Sequence, residues 1–329
     1  MRAVLYHRYG GPEVLSLGTI EKPIPKDNEI LIRVRAAEVT KGDCELRSFK
    51  FPVRWFALPL RLALGWSKPK RPILGSYLAG EVVQIGAQVQ RFQPGEHVFG
   101  CARLRMGAYG EYVCLPESFT LSKKPPNISF AEAAGVPLGG LNALHFMRKA
   151  KIEGGESLLI NGAGGSIGAF AVQIAKSMGA QVTAVDHPRK EGFLRDLGID
   201  SFIDYTLTDF RQLDQKYDIL FDMVANSPLS SSLKVLKTGG RYISGNPTFS
   251  KILSAPWAGR LSKKTVIVAF AGERQAELDD LATLLEQGKI RAVLDGIFPM
   301  DQASTAHTRV EQESRTGLVI LDLGGAEEH

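Results

Sequence analysis

Three glycines spaced three residues apart follow a run of apolar residues, and their chemistry is that of a phosphate-binding turn. They are Gly162, Gly165 and Gly168, after a predicted buried strand at 158–160. Glycines there allow a tight reversal, let the backbone approach a pyrophosphate and let the next helix pack closely on the strand. The N-terminus of that helix offers N–H groups and a partial positive charge to the phosphates. The segment therefore predicts a dinucleotide site.

The residues beyond this turn support the same prediction. The spacing is GxxGxxG, which is weaker than GxGxxG, but a predicted helix follows and stops at Gly179. A second predicted strand, 182–185, then leads directly into Asp186. A carboxylate at this place is typical of one that binds the adenosine ribose. A P-loop is excluded because no Gly-Lys-Ser or Gly-Lys-Thr follows the glycines.

Two opposing signals for the choice of cofactor lie after the second strand. Asp186 favours the free 2′-hydroxyl of NADH and repels the 2′-phosphate of NADPH. Arg189 and Lys190 follow at once, and two cations near one carboxylate can outweigh it. We expect NADPH, with NADH left open.

The elements that position these residues are predicted from the alternation of apolar runs and helical segments. The predicted strands of this part are 158–160, 182–185, 201–203, 219–222, 241–244 and 265–268. Such alternation predicts βαβ units and a parallel sheet covered on both faces. The first 45 residues alternate polar and apolar side chains, which is typical of half-buried strands. We expect an α/β fold with a doubly wound Rossmann domain at 123–270 and a β-rich domain formed by 1–122 plus 271–329.

The composition is that of a soluble globular protein. Of the 329 residues, 44% are hydrophobic and 23% charged, and the three cysteines form no CxxC pair. Because of that cysteine spacing, a disulfide scaffold and a four-cysteine zinc lobe are excluded. No window approaches a membrane span, and the first residues do not form a secretory signal. We therefore expect a cytoplasmic protein.

One stretch, 46–80, carries seven basic residues, no acidic residue and several aromatics. Such a surface suits a nucleic acid, a membrane or an anionic ligand. A solvated insertion with its own apolar cluster is the commoner outcome for a run of charge. Four prolines argue against a continuous amphipathic helix. We expect no nucleic-acid partner and leave contact with a membrane surface open.

Several segments along almost the whole chain resemble the medium-chain dehydrogenase/reductase superfamily, and specifically its zinc-free quinone oxidoreductase branch. They include PILGSYLAGEVVQIGAQVQRFQPGEHVFG, GAYGEYVCLPE, AEAAGVPLGGLNALHFM, the glycine turn, FIDYTLTDF and GGRYISGNP. The resemblance implies a GroES-like catalytic domain beside the Rossmann domain. It also implies a homodimer that forms through edge strands of the nucleotide-binding domain.

Zinc-dependent members of this superfamily carry a Cys shortly before an Asp and, later, a Gly-His-Glu. Here Thr40 stands at the place of the cysteine and Ser76 at that of the histidine, while Cys44 is displaced by four residues. Hydroxyls are poor substitutes for thiolate and imidazole as zinc ligands. We therefore expect no catalytic zinc.

Without a metal ion as Lewis acid, a site suits substrates in which conjugation delocalises the negative charge that arrives with the hydride. Quinones and α,β-unsaturated carbonyl compounds meet this condition, so the leading hypothesis is an NAD(P)H-dependent reductase of such substrates. One alternative is a nucleotide-binding sensor or membrane-surface adaptor with little catalysis. A zinc alcohol dehydrogenase is disfavoured.

The resemblance implies that Thr40, Asp43, Tyr77 and Asn142 surround the nicotinamide. The predicted catalytic residues are Thr40, as a donor to the substrate oxygen or the ribose, and Tyr77. Tyr77 either orients or protonates the substrate, or it packs as an aromatic lid. We expect Asp43 to order its own turn, with Arg47 as a partner, rather than to act as a base.

The predicted cofactor-binding residues combine the turn with matches to the superfamily. Lys190 matches a phosphate-binding lysine of relatives, and Tyr205 matches a tyrosine set against the adenosine. The set is Asn142, Gly162, Gly164, Gly165, Ser166, Ile167, Gly168, Asp186, Arg189, Lys190, Tyr205 and Gly245.

Overall fold

A computed structural model describes residues 1–51, 61–62, 64–224, 227–245, 248–312 and 315–324. The described residues contain fifteen strands and nine α-helices. The strands are β1 (Arg2–Leu5), β2 (Ser16–Thr19), β3 (Glu29–Val39), β4 (Tyr77–Ile85), β5 (His97–Cys101), β6 (Tyr112–Pro116), β7 (Leu121–Lys123), β8 (Ser157–Asn161), β9 (Gln181–Asp186), β10 (Ser201–Asp204), β11 (Tyr217–Asp222), β12 (Leu236–Ser244), β13 (Thr265–Val268), β14 (Leu294–Pro299) and β15 (Leu318–Asp322). The helices are α1 (Lys41–Ser48), α2 (Phe130–Ala134), α3 (Val136–Ala150), α4 (Ser166–Ser177), α5 (Glu191–Asp196), α6 (Leu229–Ser232), α7 (Phe249–Ser262), α8 (Gln275–Glu286) and α9 (Ala303–Glu311).

A six-stranded parallel sheet carries the glycine turn. Its strand order is β10-β9-β8-β11-β12-β13, so β8 and β11 lie side by side although they are distant in the chain. The winding direction of the chain reverses between these two strands, and ligands of doubly wound sheets bind at the carboxyl ends at such a point. α4, which follows the turn, buries Phe170, Val172 and Ile174. This sheet confirms the predicted Rossmann architecture.

The remaining strands form the β-rich part. A seven-stranded sheet has the order β14-β15-β3-β4-β5-β7, with β6 also paired to β3, and β1 pairs with β2. The core of this part contains Ile30, Ile32 and Val34 of β3, which are fully buried. β3 is buried along most of its length rather than on one face, and only Arg33 of this strand is exposed.

The sequence of residues 131–150 predicts one helical segment, but the structure divides it into α2 and α3 at Gly135. A Cβ atom at Gly135 would lie 2.5 Å from Cδ1 of Leu318, so a larger residue there would require that side chain to shift. Pro137 follows in the first turn of α3. N–H groups in the first turn of a helix have no intrahelical acceptor, so the N–H that proline lacks breaks no hydrogen bond there.

The chain divides into two compact units. One consists of Met1–Pro137, Glu273–Glu286 and Ala292–His329, and the other of Leu138–Gly272 and Gln287–Arg291. The domain bounds expected from the sequence remain a prediction. Among the described residues, no helix has the length and apolarity that crossing a membrane requires.

Residues 52–60 and 63 of the basic stretch 46–80 lie outside the described residues, among them Arg54, Trp55 and Phe56. In its described part, the Arg61 guanidinium lies 4.2 Å from the ring centre of Phe49 and 5.0 Å from that of Tyr9. These contacts are those of a small aromatic cluster with a stacked cation.

Candidate functional site

The glycine turn begins where β8 ends and leads into α4. Gly162 has a φ of +87°, which residues with a Cβ atom rarely adopt. A Cβ at Gly168 would lie 2.4 Å from the carbonyl oxygen of Gly162, so glycine is required for this close packing. Gly165 caps α4 without a side-chain hydrogen bond. The N–H groups in the first turn of α4 therefore have no side-chain cap and could bind an anion.

Further predicted cofactor residues lie around this turn. The Ser166 hydroxyl is buried and has no hydrogen-bond partner among the described residues, and Ile167 is partly buried next to it. On α3, the side-chain amide of Asn142 donates to the carbonyl of Leu138 at 2.8 Å. Gly245 directly follows β12, at the carboxyl edge of the same parallel sheet. A buried hydroxyl without a partner and an uncapped helix fit the phosphates of a dinucleotide.

Asp186 and Lys190 are joined to the turn through Gly164. One Asp186 carboxylate oxygen accepts the Gly164 N–H at 2.6 Å, and the other accepts the His187 N–H at 2.8 Å. The Lys190 ammonium lies 3.3 Å from the Asp186 carboxylate and donates to the Gly164 carbonyl at 3.2 Å. The carboxylate is buried, so its charge is balanced mainly by Lys190.

Arg189 and Tyr205 extend this cluster toward solvent. Arg189 is exposed, and Tyr205 is 56% exposed with its ring 6.1 Å from that of His187. The backbone N–H of Tyr205 donates to the Asp186 carbonyl at 3.4 Å. The structure therefore brings Asp186, Lys190 and Tyr205 together at adjoining strand ends, as the sequence predicted.

In the β-rich unit, Thr40 is the N-cap of α1. Its hydroxyl accepts the Asp43 N–H at 3.0 Å and donates to the Asp43 carboxylate at 2.6 Å. The other Asp43 oxygen accepts the Gly75 N–H at 3.2 Å. Burial raises the pKa of Asp43 above its usual range, and these hydrogen bonds oppose the rise. Asp43 thus orders its own turn, and the Thr40 proton points at Asp43.

The expected pairing of Asp43 with Arg47 is wrong. The Arg47 guanidinium instead pairs with Glu311 of α9 and donates to the carbonyl of Gly10. Both Asp43 oxygens are already engaged at the start of α1, which leaves Arg47 free to turn toward α9. Cys44 packs in the same buried region, with its thiol 3.3 Å from Nδ1 of His307. Burial raises the pKa of Cys44 to about 12, so this thiol remains protonated.

Glu273 is a charged neighbour of Tyr77, the other predicted catalytic residue, that the sequence reasoning missed. The Glu273 carboxylate pairs with Arg103 at 3.2 Å and is among the charges that raise the pKa of Tyr77. Burial raises the pKa of Tyr77 well above its usual range. Glu273 lies far from Tyr77 in the chain and belongs to no motif, so no local signal identifies it.

The donors near Thr40 and Ser76 do not fit zinc. Thr40 offers a hydroxyl that is committed to Asp43, and Ser76 offers another, whereas zinc sites use thiolate, imidazole or carboxylate ligands. The part of the chain that the structure describes contains no group of three or more His, Cys, Asp and Glu residues arranged to hold a metal ion.

A chain that folds into a parallel doubly wound sheet with a glycine turn and into a β-rich unit has the architecture of dinucleotide-binding α/β proteins. Comparisons with known proteins make the class more specific. The Alcohol dehydrogenase GroES-like domain family matches residues 26–126, and the Zinc-binding dehydrogenase family matches residues 197–321.

Individual relatives match over almost the full chain. A quinone oxidoreductase of Pseudomonas aeruginosa is 31% identical, over 97% of this chain and 99% of that protein. A 2-methylene-furan-3-one reductase of Solanum lycopersicum is 30% identical, over 98% of this chain and 79% of that protein. The structure of the quinone oxidoreductase from Coxiella burnetii superposes with a TM-score of 0.86 at 28% identity, covering 98% and 99% of the two chains. The chain belongs to the medium-chain dehydrogenase/reductase superfamily, which confirms the family and the fold class predicted from its sequence.

Proposed function

We propose that this protein is an NADPH-dependent, zinc-independent reductase of quinones and α,β-unsaturated carbonyl compounds. The observation that carries the proposal is the glycine turn, which leads into an uncapped helix beside the Asp186–Lys190 pair. Relatives add support: one from Arabidopsis thaliana, 30% identical over 98% of this chain and 79% of its own length, is described as an NADPH-dependent alkenal/one oxidoreductase.

Different residues around the turn bind different parts of the cofactor. The N–H groups at the start of α4, including those of Ser166 and Ile167, bind the pyrophosphate. Lys190 offsets the charge of Asp186, so the exposed Arg189 remains as a cation for a 2′-phosphate. Tyr205, half-exposed, packs against the adenosine. This distribution of charge favours NADPH over NADH.

Hydroxyl groups supply the polar contacts for the substrate. The nicotinamide, when bound, supplies the hydride, and the protein must orient the acceptor and deliver one proton. Tyr77 is the better donor of the two predicted catalytic residues, because the Thr40 proton is committed to Asp43 at 2.6 Å. A phenol whose pKa is raised by burial keeps its proton at neutral pH. Charge that arrives on a conjugated substrate is spread over several atoms, so a neutral donor suffices.

The proposal is tested with purified protein and both cofactors. NADPH oxidation is followed by its absorbance with a panel of quinones, enones and simple aldehydes, and the metal content of the same preparation is measured. We expect turnover with quinones or enones, little with saturated aldehydes, and no stoichiometric zinc. If no compound of the panel supports NADPH oxidation, the proposed reductase activity is wrong. Stoichiometric zinc would instead favour the alternative of a zinc alcohol dehydrogenase.

We further propose that the protein is a homodimer that forms through the β13 edge of the parallel sheet. β13 ends the sheet, and α7 precedes it with three exposed apolar side chains at intervals of four residues, Leu253, Trp257 and Leu261. Residues at this spacing share one helix face. Phe270, 65% exposed, follows the edge strand, and contiguous apolar surface of this kind is typical of interfaces.

A further inference from the structure

A buried hydrogen-bonded network lies at the carboxyl end of β11, in the same unit as the glycine turn. Its centre is Asp222, which is fully buried. One of its carboxylate oxygens accepts from the side-chain amide of Asn161 at 2.9 Å and from the N–H of Val224 at 3.1 Å. The other oxygen accepts from the Tyr242 hydroxyl at 2.9 Å. Three donors at ordinary distances therefore satisfy this carboxylate before any cation is considered.

Lys251 brings a positive charge to this network but bonds only loosely to it. Its side chain is 7% exposed, and its ammonium lies 3.8 Å from the Asp222 carboxylate. The same ammonium donates to the Val224 carbonyl at 3.4 Å. A lysine ammonium has three N–H donors, and a good N–H···O hydrogen bond is about 2.7–3.2 Å long. Within the described part of the chain, this buried charge therefore has only long contacts.

The electrostatics of Lys251 agree with these distances. Burial lowers the pKa of Lys251 below the ordinary value of a lysine, and the Asp222 carboxylate opposes the fall. The effect of burial prevails although a carboxylate is close, so the ammonium is incompletely compensated. An anion that bound at this place would complete the compensation.

The place of Lys251 in the sheet relates it to one half of a dinucleotide. Lys251 lies in the first turn of α7, which follows β12, and its contacts are with the end of β11. Doubly wound sheets consist of two mononucleotide-binding halves, which here meet between β8 and β11. The predicted adenosine-binding residues Asp186, Lys190 and Tyr205 belong to the half with β9 and β10. Lys251 belongs to the other half, which is left for the nicotinamide nucleotide.

Val224 connects Lys251 with the glycine turn. A Cβ atom at Gly162 would lie 3.4 Å from Cβ of Met223 and 3.6 Å from Cγ2 of Val224, so the chain just after β11 packs against the turn. The carbonyl to which Lys251 donates belongs to the same Val224. The Lys251 ammonium is therefore one residue removed from the turn at which the pyrophosphate is proposed to bind.

We propose that Lys251 binds the phosphate on the nicotinamide side of the cofactor's pyrophosphate, an inference that rests on the proposed reductase. Because the ammonium has three N–H groups, it can bond a phosphate oxygen while its charge still balances Asp222. Lys251 serves NADPH and NADH alike, since both cofactors carry the pyrophosphate. Arg189 and Lys190, by contrast, act at the 2′ position that distinguishes the two cofactors.

Fragments of the cofactor separate this contact from the others. Reduced nicotinamide mononucleotide carries the phosphate in question, and reduced nicotinamide riboside lacks it. We expect Lys251→Met, an apolar side chain of similar length, to weaken binding of the mononucleotide roughly 10- to 150-fold, the range for one hydrogen bond to a charged group. Binding of the riboside should not change. Fluorescence titration of the full chain measures both, and an equal loss for both fragments, or no loss for the mononucleotide, would overturn the assignment.

Lys237→Met is the matched control. Lys237 lies on β12 and pairs with Asp218 of β11 at 2.7 Å, at the opposite end of the same two strands. We expect this variant to bind both fragments as the wild type does. Thermal unfolding shows whether each variant is folded. If Lys251→Met is not, Lys251→Gln makes the same comparison, because its amide can still donate to the Val224 carbonyl.

The failure of this inference and the failure of the proposed function give different results. If the wild type binds NADPH and reduces quinones, while Lys251→Met keeps the wild-type affinity for the mononucleotide, the inference is wrong and the reductase stands. If the wild type binds neither NADPH nor either fragment, the proposed dinucleotide site itself is wrong.

Discussion

The ammonium group of Lys190 lies 3.3 Å from the carboxylate of Asp186, four residues earlier in the chain. Both groups also bond to Gly164, the lysine to its carbonyl and the aspartate to its N–H. The turn, the acid and the base thus form one hydrogen-bonded unit. Changing either charged residue removes a hydrogen bond to Gly164 in the turn. Under the proposed cofactor binding, it also changes the net charge near the 2′ position of the cofactor.

Lys190→Ala is expected to weaken the binding of NADPH much more than that of NADH. Without Lys190 the Asp186 carboxylate is left unbalanced and repels the 2′-phosphate of NADPH; the loss of one charge-assisted interaction of this kind costs about 1.5–3 kcal/mol, or roughly 10- to 150-fold in Kd. Fluorescence titration with both cofactors measures the ratio, and the effect shrinks at high ionic strength because a partly exposed contact is screened. Lys176→Ala is the matched control, since Lys176 forms a comparable pair with Asp200 on the same unit.

The reciprocal change, Asp186→Ala, separates the two cofactors in the opposite sense. It removes one carboxylate, which repels the 2′-phosphate of NADPH but bonds the free 2′-hydroxyl of the NADH ribose. NADPH binding is therefore expected to improve and NADH binding to decline. If Lys190→Ala leaves the NADPH-to-NADH ratio unchanged while Asp186→Ala abolishes NADH binding, the protein is an NADH enzyme.

Two glycines of the turn should respond differently to alanine. At Gly168 a Cβ would lie 2.4 Å from the Gly162 carbonyl oxygen, whereas at Gly165 the nearest atom is 3.5 Å away. Gly168→Ala should lower the free energy of unfolding by about 1–3 kcal/mol or more, the usual cost of overpacking. Gly165→Ala should change it little. Urea unfolding of both variants makes the comparison, and equal losses would contradict this account of the turn.

Glu38→Gln should make stability less dependent on pH. Burial raises the pKa of Glu38 well above its usual range, so the folded protein binds the proton more tightly than the unfolded chain does. The stability this provides is complete below the unfolded pKa and is lost as pH rises through the folded pKa. The glutamine variant should therefore lose less stability than the wild type as pH rises, because a neutral amide does not titrate.

Urea unfolding of wild type and Glu38→Gln across pH 4 to 8, roughly the range in which buried carboxyls titrate, measures the difference. Glu45→Gln serves as the control, since Glu45 is a partly buried carboxyl whose pKa is also raised but which has Lys41 nearby. A wild type and Glu38→Gln with parallel pH dependence would show that Glu38 does not titrate in this way.

Trp257→Lys should convert the proposed dimer to monomers. Trp257 is 72% exposed on α7, between Leu253 and Leu261 on the same face, and a charge there would be buried at the interface without a partner. Light scattering across a range of protein concentrations measures the mass. Leu207→Lys is the control, because Leu207 is 85% exposed after β10, at the opposite edge of the sheet. A dimer that survives Trp257→Lys excludes this face as the interface.

The parallel sheet and the turn were accessible to prediction because their signals are local. The predicted strands 158–160, 219–222 and 265–268 correspond to β8, β11 and β13, since a short apolar run bounded by turn residues identifies a buried strand. The break between α2 and α3 was missed. Gly135 packs there against the side chain of Leu318, a residue far away in the chain that no helical pattern includes.

The sequence by itself determined the fold class and the position of the glycine turn between β8 and α4, because these depend on spacing within single βα units; that the turn binds a nucleotide stays a prediction. Only the tertiary structure decided the side-chain partners in the β-rich unit. Arg47 pairs with Glu311 rather than Asp43, and Arg103 pairs with Glu273. Hydrogen bonds of this kind depend on distances between elements that are hundreds of residues apart, and no local spacing encodes those distances.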